Sequence, residues 1–68
     1  MLKIMKNMKI KKLEKLLENL TEDRRRYTKN IYEDIGNEEL VKLDKELYLQ
    51  ASKDIDWVIR KLEEIKMS

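Results

Sequence analysis

The chain has 68 residues with a formal net charge of +2; 44% of them are charged, and cysteine, histidine and proline are absent. This length allows one small domain, and the missing side chains exclude disulfide staples, ordinary zinc sites and catalysis by a thiol or an imidazole. The abundance of Lys, Glu, Leu and Ile predicts an all-α protein built from long helices.

The first twelve residues concentrate basic charge at the N-terminus. They contain five lysines and no acid. Residues 1–8 follow no clean helical stripe, so we predict a basic N-terminal tail or a frayed helix there. Because lysines interrupt every apolar run, we expect neither a secretory signal nor a membrane span, and we expect a cytoplasmic protein.

Residues 9–68 are predicted to form a single helical-hairpin domain. Its first helix carries a stripe of side chains at spacings of three and four: Leu13, Leu17, Leu20, Arg24, Tyr27, Ile31 and Ile35. Thr21, followed by two acidic residues, has the composition of a helix start, so this arm is predicted either to run unbroken or to divide near Asn19–Thr21. Gly36 can adopt the left-handed conformation that ends a helix, which predicts a tight turn at residues 35–37.

The second helix is predicted from an N-cap at Asn37 to about Lys66, with two glutamates in its first turn. Its stripe comprises Leu40, Leu43, Leu47, Ala51, Ile55, Val58, Leu62 and Ile65. Folding about Gly36 pairs the two stripes layer by layer, which predicts an antiparallel hairpin. A lone hairpin of this size has a marginal core, so we expect a homodimer packed as a four-helix bundle.

Two polar residues fall on these apolar stripes. Asp44 lies between leucines, and it is predicted to specify register or dimer geometry, to serve as a functional carboxylate in an open groove, or simply to be exposed. Arg24 faces Ala51 and is predicted to pair with Asp54.

Large apolar side chains outside the stripes predict a second contact surface for another protein. The predicted partner-binding residues are Tyr32, Tyr48, Leu49 and Trp57.

Nucleic-acid binding is the alternative. Lys9, Lys11 and Lys12, together with Arg25 and Arg26, are predicted to contact phosphates in a salt-dependent and non-specific way. The basic N-terminal segment has no aromatic residue on which a base could stack. Small helical hairpins that dimerise and bind RNA loops share the predicted architecture.

Residues 36–48, GNEELVKLDKELY, carry a resemblance to a known family. They resemble the second helix of the small helical-hairpin aspartyl-phosphate phosphatases of bacterial sporulation phosphorelays, whose signature reads Ser-Gln-Glu-Leu-Asp. Glu46 and Leu47 match that signature, and its closing aspartate falls on Tyr48. The resemblance implies phosphatase activity on a response regulator as a third reading.

No Gly-rich phosphate loop, nucleophile elbow or metal-spaced cluster is present in the sequence. We therefore expect no enzyme activity, no cofactor, no metal and no small-molecule substrate. The leading expectation is a regulatory or inhibitory protein that acts through protein–protein interaction on a helical surface.

Overall fold

Two long helices form an antiparallel hairpin. The computed structural model describes the backbone of residues 2–67 and the side chains of residues 5–67. Helix α1 spans Leu2–Glu33 and helix α2 spans Glu38–Met67. They pack along their length in a rod of 54 × 14 × 12 Å, and the predicted all-α hairpin is confirmed.

Helix α1 is continuous, so the alternative of a break near Asn19–Thr21 is wrong. The Thr21 hydroxyl donates a hydrogen bond of 2.7 Å to the Leu17 carbonyl within the same helix. A threonine can satisfy its hydroxyl one turn back without starting a new helix. Helix α1 begins at Leu2, so residues 2–8 of the predicted tail belong to it; Met1 lies outside the described residues.

Residues 34–37 join the helices. Gly36 has a φ of +103°, a conformation that L side chains rarely adopt. The Asn37 amide donates to the Asp34 carbonyl at 2.9 Å, which closes the turn. The Asn37 side-chain oxygen accepts the Leu40 amide at 3.2 Å, as expected of an N-cap.

The contact between the helices follows a strict seven-residue repeat. In a chain of two helices, a side chain is buried mainly by the opposite helix, so burial marks the contact face. On α2 the buried and half-buried residues at alternating spacings of three and four are Val41, Asp44, Tyr48, Ala51, Ile55, Val58, Leu62 and Ile65. The matching half-buried residues on α1 and at the turn residue that follows it are Ile10, Leu13, Leu17, Leu20, Arg24, Tyr27, Ile31 and Asp34. We call these two rows the seam.

The seam corrects the predicted stripes at the end of the hairpin that carries the turn. Leu40, Leu43 and Leu47 are exposed, and Ile35 is 72% exposed. Asp34 and Asp44 occupy the contact face there instead. The reason is that a row of residues keeps facing the partner helix only if spacings of three and four alternate, whereas the predicted α2 stripe has three successive spacings of four after Leu43.

Replacing Gly36 with alanine should lower the free energy of unfolding by ~1–2 kcal/mol, because a Cβ disfavours positive φ. No heavy atom lies within 4 Å of the position that this Cβ would occupy, so the cost comes from the backbone alone. Urea denaturation followed by circular dichroism measures it. Gly36→Asn is the matched control and should cost less, since asparagine tolerates this region; equal losses for both variants would contradict the explanation.

Truncating Val58 to alanine should destabilise the hairpin by roughly 1–3 kcal/mol, because this side chain is 0% exposed and its removal leaves a cavity. The same denaturation experiment applies. Leu49→Ala removes a larger but exposed side chain from the same helix and should change stability by less than about 0.5 kcal/mol. A smaller loss for the Val58 variant than for the Leu49 variant would be inconsistent with the seam.

Candidate interaction surface

The four predicted partner-binding residues do not form one surface. Tyr32 and Tyr48 line a shallow groove between the helices with Thr28 and Ile31. Leu49 lies in a different groove on α2, among Lys42, Lys45 and Glu46. Trp57 lies in a third groove. The eight-residue separation of Leu49 and Trp57 turns their side chains about 80–100° apart around α2.

Three leucines missing from that prediction lie on the same flank of α2 as Trp57. Positions seven or fourteen residues apart keep the same orientation toward α1, because the seam follows a seven-residue repeat. Leu43 and Trp57 are fourteen residues apart, and they are 50% and 52% exposed. Leu40 and Leu47, seven residues apart, form the neighbouring row.

The flank therefore has a repeat of its own. Its members at alternating spacings of three and four are Leu40, Leu43, Leu47, Gln50, Asp54, Trp57 and Lys61. We call this row the leucine–tryptophan face. Its apolar residues lie toward its two ends. Its centre is polar, because Gln50 donates a hydrogen bond of 3.1 Å to Asp54.

The predicted ion pair between Arg24 and Asp54 is not formed. Asp54 instead accepts that hydrogen bond from Gln50, its neighbour one turn away on the same helix. Arg24 is half-buried in the seam. The Arg24 guanidinium can remain hydrated at the edge of the seam while the methylene groups of its side chain cover apolar surface, so it does not require a partner across the seam.

Trp57 lies among lysines from both helices. Its groove is lined by Lys9, Lys12 and Leu13 from α1 and by Lys61 and Ile65 from α2. The Lys61 ammonium lies 5.8 Å from the centre of the indole ring, a cation–π distance, and 3.4 Å from a Glu64 carboxylate oxygen. Half of the indole remains open to solvent.

This arrangement changes the expectation for the basic residues. Lys9 and Lys12 do have an aromatic neighbour, and it comes from the opposite helix. The arginines are elsewhere: Arg25 and Arg26 line an outer groove of α1 with Glu22 and Lys29. Arg26 is also paired with Asp23. The predicted phosphate contacts thus fall on two separate patches, about 20 Å apart along α1.

Asp34 and Asp44 form an acidic pair beside the turn. Asp44 is 7% exposed, so the alternative that it is simply exposed is wrong. Its Oδ2 is buried and has no hydrogen-bond partner. A hydrogen bond with Asp34, burial, and repulsion by the Asp34 charge all raise the pKa of Asp44 above its ordinary value of 3.8.

Among the residues that the structure describes, no group of three or more acidic side chains is placed to hold a metal ion. Across residues 2–67, neither helix is long and apolar enough to cross a bilayer. Comparison with protein-family models, curated proteins and solved structures finds no match to this chain. Glu46 and Leu47, which carry the likeness to the aspartyl-phosphate phosphatases, are exposed on α2.

A strict seven-residue reading of α2 could have found the leucine–tryptophan face from the sequence. It places Val41, Asp44 and Tyr48 in the seam and leaves Leu40, Leu43 and Leu47 outside. Leucine is usually a core residue, and this favoured the predicted stripe that contained Leu40, Leu43 and Leu47. The closeness of Lys9 and Lys12 to Trp57 had no signal in the sequence, because it depends on how α1 and α2 pack.

Asp44→Asn should stabilise the protein at neutral pH and reduce its dependence on pH. Because the folded pKa is raised, the folded protein holds a proton that the unfolded chain releases; the contribution of Asp44 to stability is therefore fully present below pH ~4 and falls as pH rises through the raised pKa. Asparagine cannot ionise, so this fall should shrink. Thermal denaturation from pH 3 to pH 8 measures it.

Asp56→Asn is the matched control, because Asp56 is exposed on the same helix. It should retain the fall in stability with pH. A wild-type protein whose stability rises through pH 4 to 7, with the same profile in Asp44→Asn, would contradict an unfavourable carboxylate at this position.

Proposed function

We propose that this chain is a small, non-enzymatic interaction protein of the cytoplasm that forms homodimers and regulates or inhibits another macromolecule through its helical surface. One observation carries the proposal: Leu40, Leu43, Leu47 and Trp57 lie on one flank of α2 and remain 39–52% exposed. Large apolar side chains exposed together on one flank of a small protein are characteristic of an interface.

The size of the core supports the same proposal. The buried apolar side chains of the described residues are Ala51, Ile55, Val58 and Leu62, all from α2. Each seam residue of α1 is only half-buried. A hairpin with so small a core gains stability from any partner that covers more of its apolar surface, because binding to the folded state shifts the folding equilibrium.

Binding of single-stranded nucleic acid is a second candidate, and the groove around Trp57 favours it. Lys9, Lys12 and Lys61 could hold phosphates while a base stacks on the open indole face. The arrangement combines positive charge with an aromatic platform, which is the combination such binding requires.

Quantitative capture from a lysate of the source cells tests the interaction role. A charge in the centre of an apolar contact is costly, so proteins bound by the wild type should be lost with Leu43→Glu. Leu49→Glu is the matched control, because it places the same charge on an exposed leucine of the same helix outside the face. Identical captures by all three proteins, or none by the wild type, would count against the role.

Fluorescence of Trp57, the chain's single tryptophan, tests the nucleic-acid candidate. An oligothymidylate titrated at low salt should quench the indole, and Lys12→Glu or Lys61→Glu should weaken binding and reduce the salt slope. Lys42→Glu, away from the groove, controls for net charge. Unchanged fluorescence at low salt would remove this candidate.

A further inference from the structure

We infer that a second copy of the chain covers the leucine–tryptophan face, and that it runs antiparallel, with the turn of each hairpin beside the open end of the other. This inference rests on the proposed interaction role and goes further by identifying the occupant and its direction. Three features of the face support it: the pattern of its apolar groups, its polar centre, and the charges at its two ends.

The two halves of the face complement each other. The half nearer the turn presents Leu40, Leu43 and Leu47, and the half nearer the open end presents Trp57. Leu47 and Trp57 lie five residues on either side of position 52, about 7.5 Å each way along α2. A two-fold axis at that position brings Leu47 of one copy against Trp57 of the other, twice.

The polar centre suits the same axis. Gln50 and Asp54 lie two residues on either side of position 52, so Gln50 of each copy would face Asp54 of the other. Gln50 already donates to Asp54 within one chain, and its amide has a second N–H for a second acceptor. Polar residues at the centre of a helical interface fix its register, because any slip leaves them buried without partners.

The charges at the ends favour the antiparallel direction. Residues 33–39, around the turn, contain four acids and no base: Glu33, Asp34, Glu38 and Glu39. Near the open end, exposed or half-buried cations outnumber the acids Glu14, Glu63 and Glu64: Lys9, Lys11, Lys12, Lys15, Arg60, Lys61 and Lys66. An antiparallel pair places the acidic turn beside the basic end, whereas a parallel pair would place like charges together at both ends.

A second copy is the occupant that these observations favour over an unrelated protein. A two-fold interface requires each surface to complement itself when reversed, and this face does so where Leu47 meets Trp57, where Gln50 meets Asp54, and in the charges at its two ends. Nothing about binding to an unrelated partner would require the two ends of one face to match each other.

Distance measurements between spin labels test the direction of the pair. The chain has no cysteine, so a single cysteine can be introduced and labelled at an exposed site outside the face: Glu39→Cys near the turn or Lys53→Cys near the centre. In the antiparallel dimer the two Glu39→Cys labels are separated by about 40 Å along the axis. The two Lys53→Cys labels are separated by little more than the width of the bundle.

A parallel dimer would give the same short distance for both labels and would overturn the inference. Absence of any coupling at concentrations that saturate association would also overturn it. A monomeric chain that still captures a partner through Leu43 would leave the proposed function standing, so the two failures are distinguishable.

Variants identify the face. Sedimentation equilibrium should show Trp57→Glu and Leu47→Glu weakening self-association about tenfold or more, since aromatic and apolar contacts near the centre dominate such interfaces. Leu49→Glu should associate like the wild type, and circular dichroism should show unchanged helicity in all three, because each replaced side chain is exposed in the single hairpin. Association that survives both face variants, or that is lost with Leu49→Glu alone, would overturn the inference.

Discussion

The structure depends on the seam between α1 and α2, where spacings of three and four alternate along each helix from one end of the hairpin to the other. Such a repeat has an average period of 3.5 residues, shorter than the 3.6 of a straight helix, so the two helices must wind around each other to keep their rows in contact. This winding determines which residues lie inside the seam, including Asp34 and Asp44, and which lie outside it, including Leu40, Leu43 and Leu47.

At the turn, the seam takes in two carboxyl groups in place of leucine side chains. Asp44 is buried with an unpartnered oxygen, and its neighbour Asp34 lies close enough to raise its pKa. Glu33 and Asp34 also lie near the C-terminus of α1, where the helix dipole disfavours negative charge. The turn end is therefore held by Gly36 and the Asn37 cap together with a few half-buried apolar side chains, Ile31, Val41 and Tyr48, and protonation of Asp44 contributes to its stability.

The leucines excluded from the seam give the hairpin its candidate interface. They lie on one flank with Trp57, and that flank could be covered by a second copy of the chain or, at its basic end, by nucleic acid. These two occupants compete, because both would cover the same indole ring. Self-association and nucleic-acid binding would in that case oppose each other, and the concentration of the chain would decide which prevails.

The sequence by itself determined the helical hairpin, its turn and the part of its core that lies away from the turn. A single glycine before a capping asparagine, with unbroken helical periodicity on both sides, allows few other folds, and Ala51, Ile55, Val58 and Leu62 belong to the contact face under either reading of the period. It also placed Asp44 on an apolar stripe, although it left the burial of this residue open. The tertiary structure decided between alternatives that the sequence left open, since it placed Leu40, Leu43 and Leu47 outside the seam and left α1 unbroken at Thr21. It alone showed that Lys9 and Lys12 lie beside Trp57. The positions of the leucines and of the lysines depend on how one helix winds around the other, and the sequence of a single helix does not specify where its partner will pass.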